Sequence, residues 1–263
     1  MVIFVDNEKL KQYEVIYFSN ELPVPVKLKE GEINIYPITV KEWGMFEGNA
    51  QILQIDKNSV NDANVIQMSY MEYLINLAEK DELNKNMLLT TLLLSFHEEK
   101  MGFINEKGKS YIIVADNDNN IKAKITAKEF NKIRDIILYY NFPNYDDRYV
   151  NQEVRELMKA YYKLKNNDSY SPTLEEIKAY VIAKTGICMR EINEMAYRTF
   201  HFVYQSALGS EMFLANKIIQ ASFKYDIKED IKHPLLTEKI DPYKEIFADK
   251  EAFIEKINSA NNG

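Results

Sequence analysis

The chain has 263 residues, of which 46% are hydrophobic and 28% charged, enough for one large apolar core or two modest ones. A net charge of −7 with no Lys/Arg block argues against a nonspecific nucleic-acid or anionic-membrane binder, which needs a basic face. The single cysteine rules out an internal disulfide, and the best apolar run, Met87 to Phe96, is about half the ~20 residues of a membrane span.

The opening residues Met1 to Asp6 turn polar after one short strand's length, so no signal peptide is expected and the protein reads as cytoplasmic. Val2–Val5, Glu14–Phe18, Val24–Leu28 and Ile33–Ile38 read as short strands, separated by Asn20, the Pro23/Pro25 pair and Glu30-Gly31. Proline at alternate positions suggests an edge strand, because neither residue can donate to a ladder. Thr39 with Glu42 three residues later predicts a capped helix through Trp43 and Phe46. Two further helices are expected, one over Ala63 to Leu77 and a strongly apolar one over Asn84 to His97. Gly102-Phe103-Ile104, Tyr111 to Val114 and Ile121 to Ile125 then read as a hairpin or three-stranded meander, turning at Lys107-Gly108 and at Asp116 to Asn120.

Thr126 and Glu129 open the next helix, through Phe130, Ile133, Ile136, Ile137 and Tyr140, which stops before Pro143. A helix over Asn151 to Lys165 follows, and Thr173 to Tyr225 reads as two helices hinged at Gly186. The second is long and crowded with Met and aromatic residues. Pro242 opens a last amphipathic helix, and Asn258 to Gly263 should fray. No internal repeat is present. The pattern predicts a mainly α fold with a small β portion, an α+β protein. It has N-terminal short strands, a helical core, a central β-hairpin or meander, and a C-terminal helical bundle with one long helix. The expected organisation is an α+β domain over 1–125, a helical domain over 126–225, and an extension with a short helix over 226–263.

The residues that could carry chemistry are few. His97-Glu98-Glu99 lacks a second histidine at i+4, where Met101 sits, so it does not make a zinc helix motif. Asp116, Asp118 and Asn120 match the first three positions of a calcium loop, but Ile121 and Ala127 stand where Gly and Glu are required, which favours a turn. Cys188 reads as a small buried hydrophobe rather than a helix-start nucleophile. His201 reads as a satisfied core or rim residue. All five arginines lie between positions 134 and 198, and they read as ordinary ion-pair partners on helix faces. The stretch Ile177 to Met195 has the outline of a helix-turn-helix with Gly186 at the turn. Its Arg190 and Arg198 are set against Glu191 and Glu194, so a packed αα-hairpin is favoured and a helix-turn-helix DNA-binding regulator is the remote alternative. No glycine-rich phosphate loop and no Ser/His/Asp or Cys/His signature is found, so neither an enzyme nor a cofactor is expected.

Three stretches carry a resemblance. They are Tyr36-Pro37-Ile38-Thr39-Val40-Lys41-Glu42-Trp43; Ile125 to Phe130 with Arg134 to Leu138 and Asn141; and Leu174 to Ile177 with Glu191 to Phe200. Together they resemble small cytoplasmic proteins encoded among the tail genes of tailed bacteriophages with Gram-positive hosts: tail assembly chaperones and baseplate-hub assembly proteins. The chain is longer than typical tail chaperones and adds the β-segment at 102–125. The resemblance equally admits a subunit retained in the tail or baseplate. It implies a binder of phage tail proteins, either the long helical tape measure or hub subunits, acting in the host cytoplasm, and it admits a homo-oligomer. The implied binding surface is Met189, Met195, Phe200, Tyr204, Met212 and Phe213, where flexible Met side chains would accept varied apolar helices. The same side chains also read as core, and periodicity does not say which face of 189–224 is open.

Overall fold

Side-chain caps punctuate the helices. Ser69, Thr126 and Thr173 each close a capping box with a glutamate three residues on: Glu72, Glu129 and Glu176. Asp81 ends one helix and starts the next, its carboxylate accepting from the Leu83 N–H at 3.1 Å. These signals organise a computed structural model that describes residues 10–57, 60, 62–145 and 172–222. The strand expected at 2–5, the helices expected at 151–165 and after Pro242, and the terminal fraying at 258–263 lie outside the described residues.

The described elements run α1 (Lys11–Ile16), β1 (Val24–Lys27), β2 (Glu32–Ile35), α2 (Trp43–Ala50), α3 (Ala63–Gln67), α4 (Tyr70–Lys80) and α5 (Glu82–Phe96). Then come β3 (Lys100–Glu106), β4 (Lys109–Ala115), β5 (Ile121–Ile125), α6 (Ala127–Asn141), α7 (Leu174–Thr185), α8 (Met189–Glu194) and α9 (Tyr197–Ala221). The fold is mainly helical, with two small antiparallel sheets ordered β1-β2 and β3-β4-β5. The α+β expectation and the central meander are therefore met.

Two expectations about single elements before α5 need correction. Glu14–Phe18 is not a strand: α1 covers Lys11–Ile16 and a 3₁₀ turn follows at Phe18–Asn20. Ser19 and Asn20 donate to the last helical carbonyls, those of Glu14, Val15 and Ile16, so C-terminal capping overrides the β-propensity of this run. The single helix expected over Ala63 to Leu77 is two, because Met68 and Ser69 take extended backbone and Ser69 starts α4 afresh.

The main core joins both sheets to α2, α4, α5 and α6. Ile35, Phe46, Leu53, Met71, Leu74, Leu88, Ile112, Ile125, Ile133 and Ile137 are fully buried in one cluster. Each such side chain contributes about 1.5–3 kcal/mol on leaving water. Three buried polar side chains, Asn141, Thr91 and Ser95, find partners inside. The Asn141 amide accepts from the Ile38 N–H at 2.8 Å and donates to the Ile137 carbonyl, while Thr91 and Ser95 donate back to their own helix. The Tyr140 ring stacks on Phe18, and its hydroxyl reaches the Leu22 carbonyl at 3.0 Å.

Candidate functional site

A second, smaller core forms where α7, α8 and the start of α9 meet the segment 38–43. Val40, Val181, Ile192 and Phe200 are its buried centre, ringed by Ile177, Tyr180, Ile187, Met195, Val203 and Tyr204. Gly186 ends α7 in a left-handed conformation, as its place in the sequence suggests. The helix after it is not continuous. It divides into α8 and α9 because Met195 and Ala196 are extended and pair with the chain at 38–40. Val40 N–H donates to the Met195 carbonyl at 3.0 Å, Tyr197 N–H donates to the Ile38 carbonyl at 2.8 Å, and Thr39 bridges Ala196. No Pro or Gly marks this break in the sequence; tertiary backbone pairing makes it.

Aromatic and charged contacts fix the junction. Trp43 stacks on Tyr197 with centroids 3.5 Å apart and planes parallel to 1°. Burial pushes the Tyr197 hydroxyl up to about 12, with the nearby Glu47 charge adding to it, so this ring stays neutral at physiological pH. Arg198 is buried at 5% exposure. It donates to the Tyr139 carbonyl at 2.8 Å and to Glu14 at 2.6 Å, between the rings of Phe18 and Phe202. One side chain thus ties α9 to α6 and α1 by charge-assisted bonds. His201 follows it, and burial, reinforced by the Arg198 cation, holds its imidazole below the ordinary 6.5. Arg134 behaves similarly in the main core, donating to the Leu53 carbonyl at 2.6 Å and lying over Tyr70. Both arginines form the expected ion pairs, Arg134 with Asp135 at 3.6 Å and Arg198 with Glu14 at 2.6 Å, and each also reaches the backbone of another element.

The six candidate binding residues differ in exposure. Phe200 is 2% exposed, and Met195 and Tyr204 pack around it, Tyr204 meeting Tyr180 edge-on at 5.9 Å. Met189 and Met212 are exposed, while Phe213 is half-buried with Lys217 over its ring at 5.7 Å. Three residues that the sequence reading passed over are more open than most of these. Leu214 is 60% exposed, Ile218 72% and Ile219 43%, beside Met212 at 56%. At about 100° per residue, these four fall within about 160° of the helix circumference, with Glu211 inside the arc. A window restricted to 208–222 carries this signal; a reading over the whole of 189–224 merges it with the buried turns before it.

The remaining candidates have the following local surroundings. Cys188 is exposed rather than buried, because it precedes the first turn of α8 and gives its backbone N–H to Glu191 at 3.0 Å. Asp116 accepts from the N–H groups of Asp118 and Asn120, with Asn119 left-handed, which makes this segment an Asx-type turn. His97 ends α5 and stacks on Tyr36 at 4.0 Å. Among the described residues, no group of three or more His, Cys, Asp or Glu side chains could hold a metal ion. No described helix is long and apolar enough to cross a membrane. A groove of about 460 Å³ beside α4 is lined by amides and carboxylates, including Asn64, Gln67, Glu72, Asn76 and Asn105. Comparison with known proteins finds no matching family model, no matching curated protein and no matching solved structure.

Proposed function

We propose that this protein is a non-enzymatic assembly factor of a tailed bacteriophage. In this reading it acts in the host cytoplasm and binds a long helical tail protein, of the tape-measure type, or hub subunits. The phage assignment rests on the resemblance of the three sequence stretches. The observation that supports a binding role is the open apolar arc of α9, where Met212, Leu214, Ile218 and Ile219 are 43–72% exposed. Large apolar side chains in such a row mark interaction sites, and each contributes about 1.5–3 kcal/mol when an apolar partner covers it. A helix laid against a helix meets this arc through i, i+4 anchors such as Leu214 and Ile218. The net charge of −7 keeps a holder of apolar helices soluble.

The test is mild purification of the tagged full chain from its infected or induced host, with companion proteins identified and finished particles assayed for the chain. The expected result is a discrete complex with a tail protein and no chain in particles. Recovery in particles at fixed copy number would make it a structural subunit instead, and isolation with no tail partner would defeat both roles.

A further inference from the structure

The structure assigns a second interaction surface, the outer edge of β3, and we propose that its occupant is β3 of a second copy of this chain, paired antiparallel about Phe103. The proposal is independent of the phage reading.

The hairpin geometry decides which backbone groups face outward. β3 and β4 are joined by a two-residue loop, Lys107-Gly108, whose φ values of 52° and 76° are those of a type I′ turn. Such a loop makes Glu106 and Lys109 a hydrogen-bonded pair. Alternation along the ladder then turns Ile104 and Gly102 inward to β4 as well. The N–H and C=O groups of Met101, Phe103 and Asn105 therefore point away from β4. β3 ends its sheet, and these groups take part in none of the loop, cap or turn backbone bonds among the described residues.

Other strands are defended where β3 is not. Pro25 interrupts donation along β1, and the Lys124 N–H of β5 is taken by the Glu30 carbonyl at 2.9 Å. The seven residues of β3 contain no proline, and the one register irregularity of the sheet lies between Val114 and Ala115 on β4. An undefended edge of this length is a template for another strand.

Self-complementarity selects a second copy rather than an arbitrary strand. Centred on Phe103, the antiparallel register sets Lys100 opposite Glu106, Met101 opposite Asn105, Gly102 opposite Ile104, and Phe103 opposite itself. Opposite charges thus meet at both ends, and the bulk of Ile104 fills the space beside a residue with no side chain. A parallel pairing would set Lys100 beside Lys100. The ends have capacity to spare. Lys100 donates to the Asn117 carbonyl and the Asn119 side chain, which leaves its third N–H, and Glu106 keeps acceptor sites beyond those used by Lys124. With Phe103 at the centre, the outward groups of Met101, Phe103 and Asn105 meet their counterparts in hydrogen-bonding pairs, and a two-fold axis closes the assembly as a dimer.

The experiment is sedimentation of the purified full chain between about 1 and 500 μM, with backbone amide exchange read at both ends of that range. A reversible dimer is expected, with Met101, Phe103 and Asn105 amides slowing as concentration rises while Gly102 and Ile104 stay unchanged. Asn105→Pro, at an exposed position whose N–H is unused within the fold, should leave a folded monomer. Lys100→Glu and Glu106→Lys should each weaken the dimer about 10-fold, and the double exchange should restore it to within about 3-fold of the parent. A wild-type chain that stays monomeric throughout would overturn the proposal. So would a dimer whose edge amides do not respond, or one indifferent to Asn105→Pro and to both charge reversals.

Discussion

The two halves of α9 share one helix and similar apolar content, yet their side chains differ in exposure. From Tyr197 to Val203 the helix is held by Arg198, by the Trp43 stack and by Phe200 at 2% exposure. From Met212 to Ile219 its large side chains are 43–72% exposed. The difference teaches that hydrophobicity alone does not identify a binding face; what identifies it is apolar area that the surrounding structure leaves uncovered. Substitutions in the first half should report on stability, and those in the second on association.

The largest effect is expected at Arg198. Replacing it with Ala removes the buried cation that pairs with the Glu14 carboxylate and donates to the Tyr139 carbonyl, so urea unfolding should show a loss of about 3–5 kcal/mol. A loss near zero would mean that the buried pair holds nothing. Phe200→Ala should follow closely, at about 3–5 kcal/mol, whereas Ile218→Ala should change stability by no more than about 0.5 kcal/mol. Equal losses at these two positions would erase the contrast between the halves. In the main core, Thr126→Ala removes the cap of α6, with an expected loss of about 1 kcal/mol and an unchanged m-value.

The smallest effect is a pH dependence. His201 is held below its ordinary 6.5 in the folded state, so the unfolded chain takes up its proton first as pH falls. Its contribution is complete above 6.5 and declines as pH drops below that value. Stability profiles from pH 8 to pH 5 should therefore slope less steeply for His201→Gln than for the parent; identical slopes would remove this histidine from the account.

Local chemistry made several elements readable in advance. Thr126-Glu129 marks a helix start through reciprocal hydrogen bonds that need no distant partner, and Lys107-Gly108 suits a two-residue hairpin loop in the same way. The misread elements depend on distant or competing groups. Glu14 to Phe18 carries strand-like residues, but Ser19, Asn20 and the Arg198–Glu14 pair favour a helix. The break at Met195-Ala196 exists because residues 38–40 pair there, which no window along 186–225 contains. The exposure of the candidate residues was not legible for a related reason. Phe200 and Met212 look alike as letters, and only packing separates a core residue from an exposed one.

The most direct measurement compares two tagged full-length chains recovered from the infected host: the parent and Leu214→Asp/Ile218→Asp. Unfolding curves of the purified proteins would show that both are folded. The account predicts that the parent brings down a tail protein and that the double variant, equally stable, loses it. If both chains carry the same tail protein in equal amount, the open arc of α9 is not the binding face and the central claim fails.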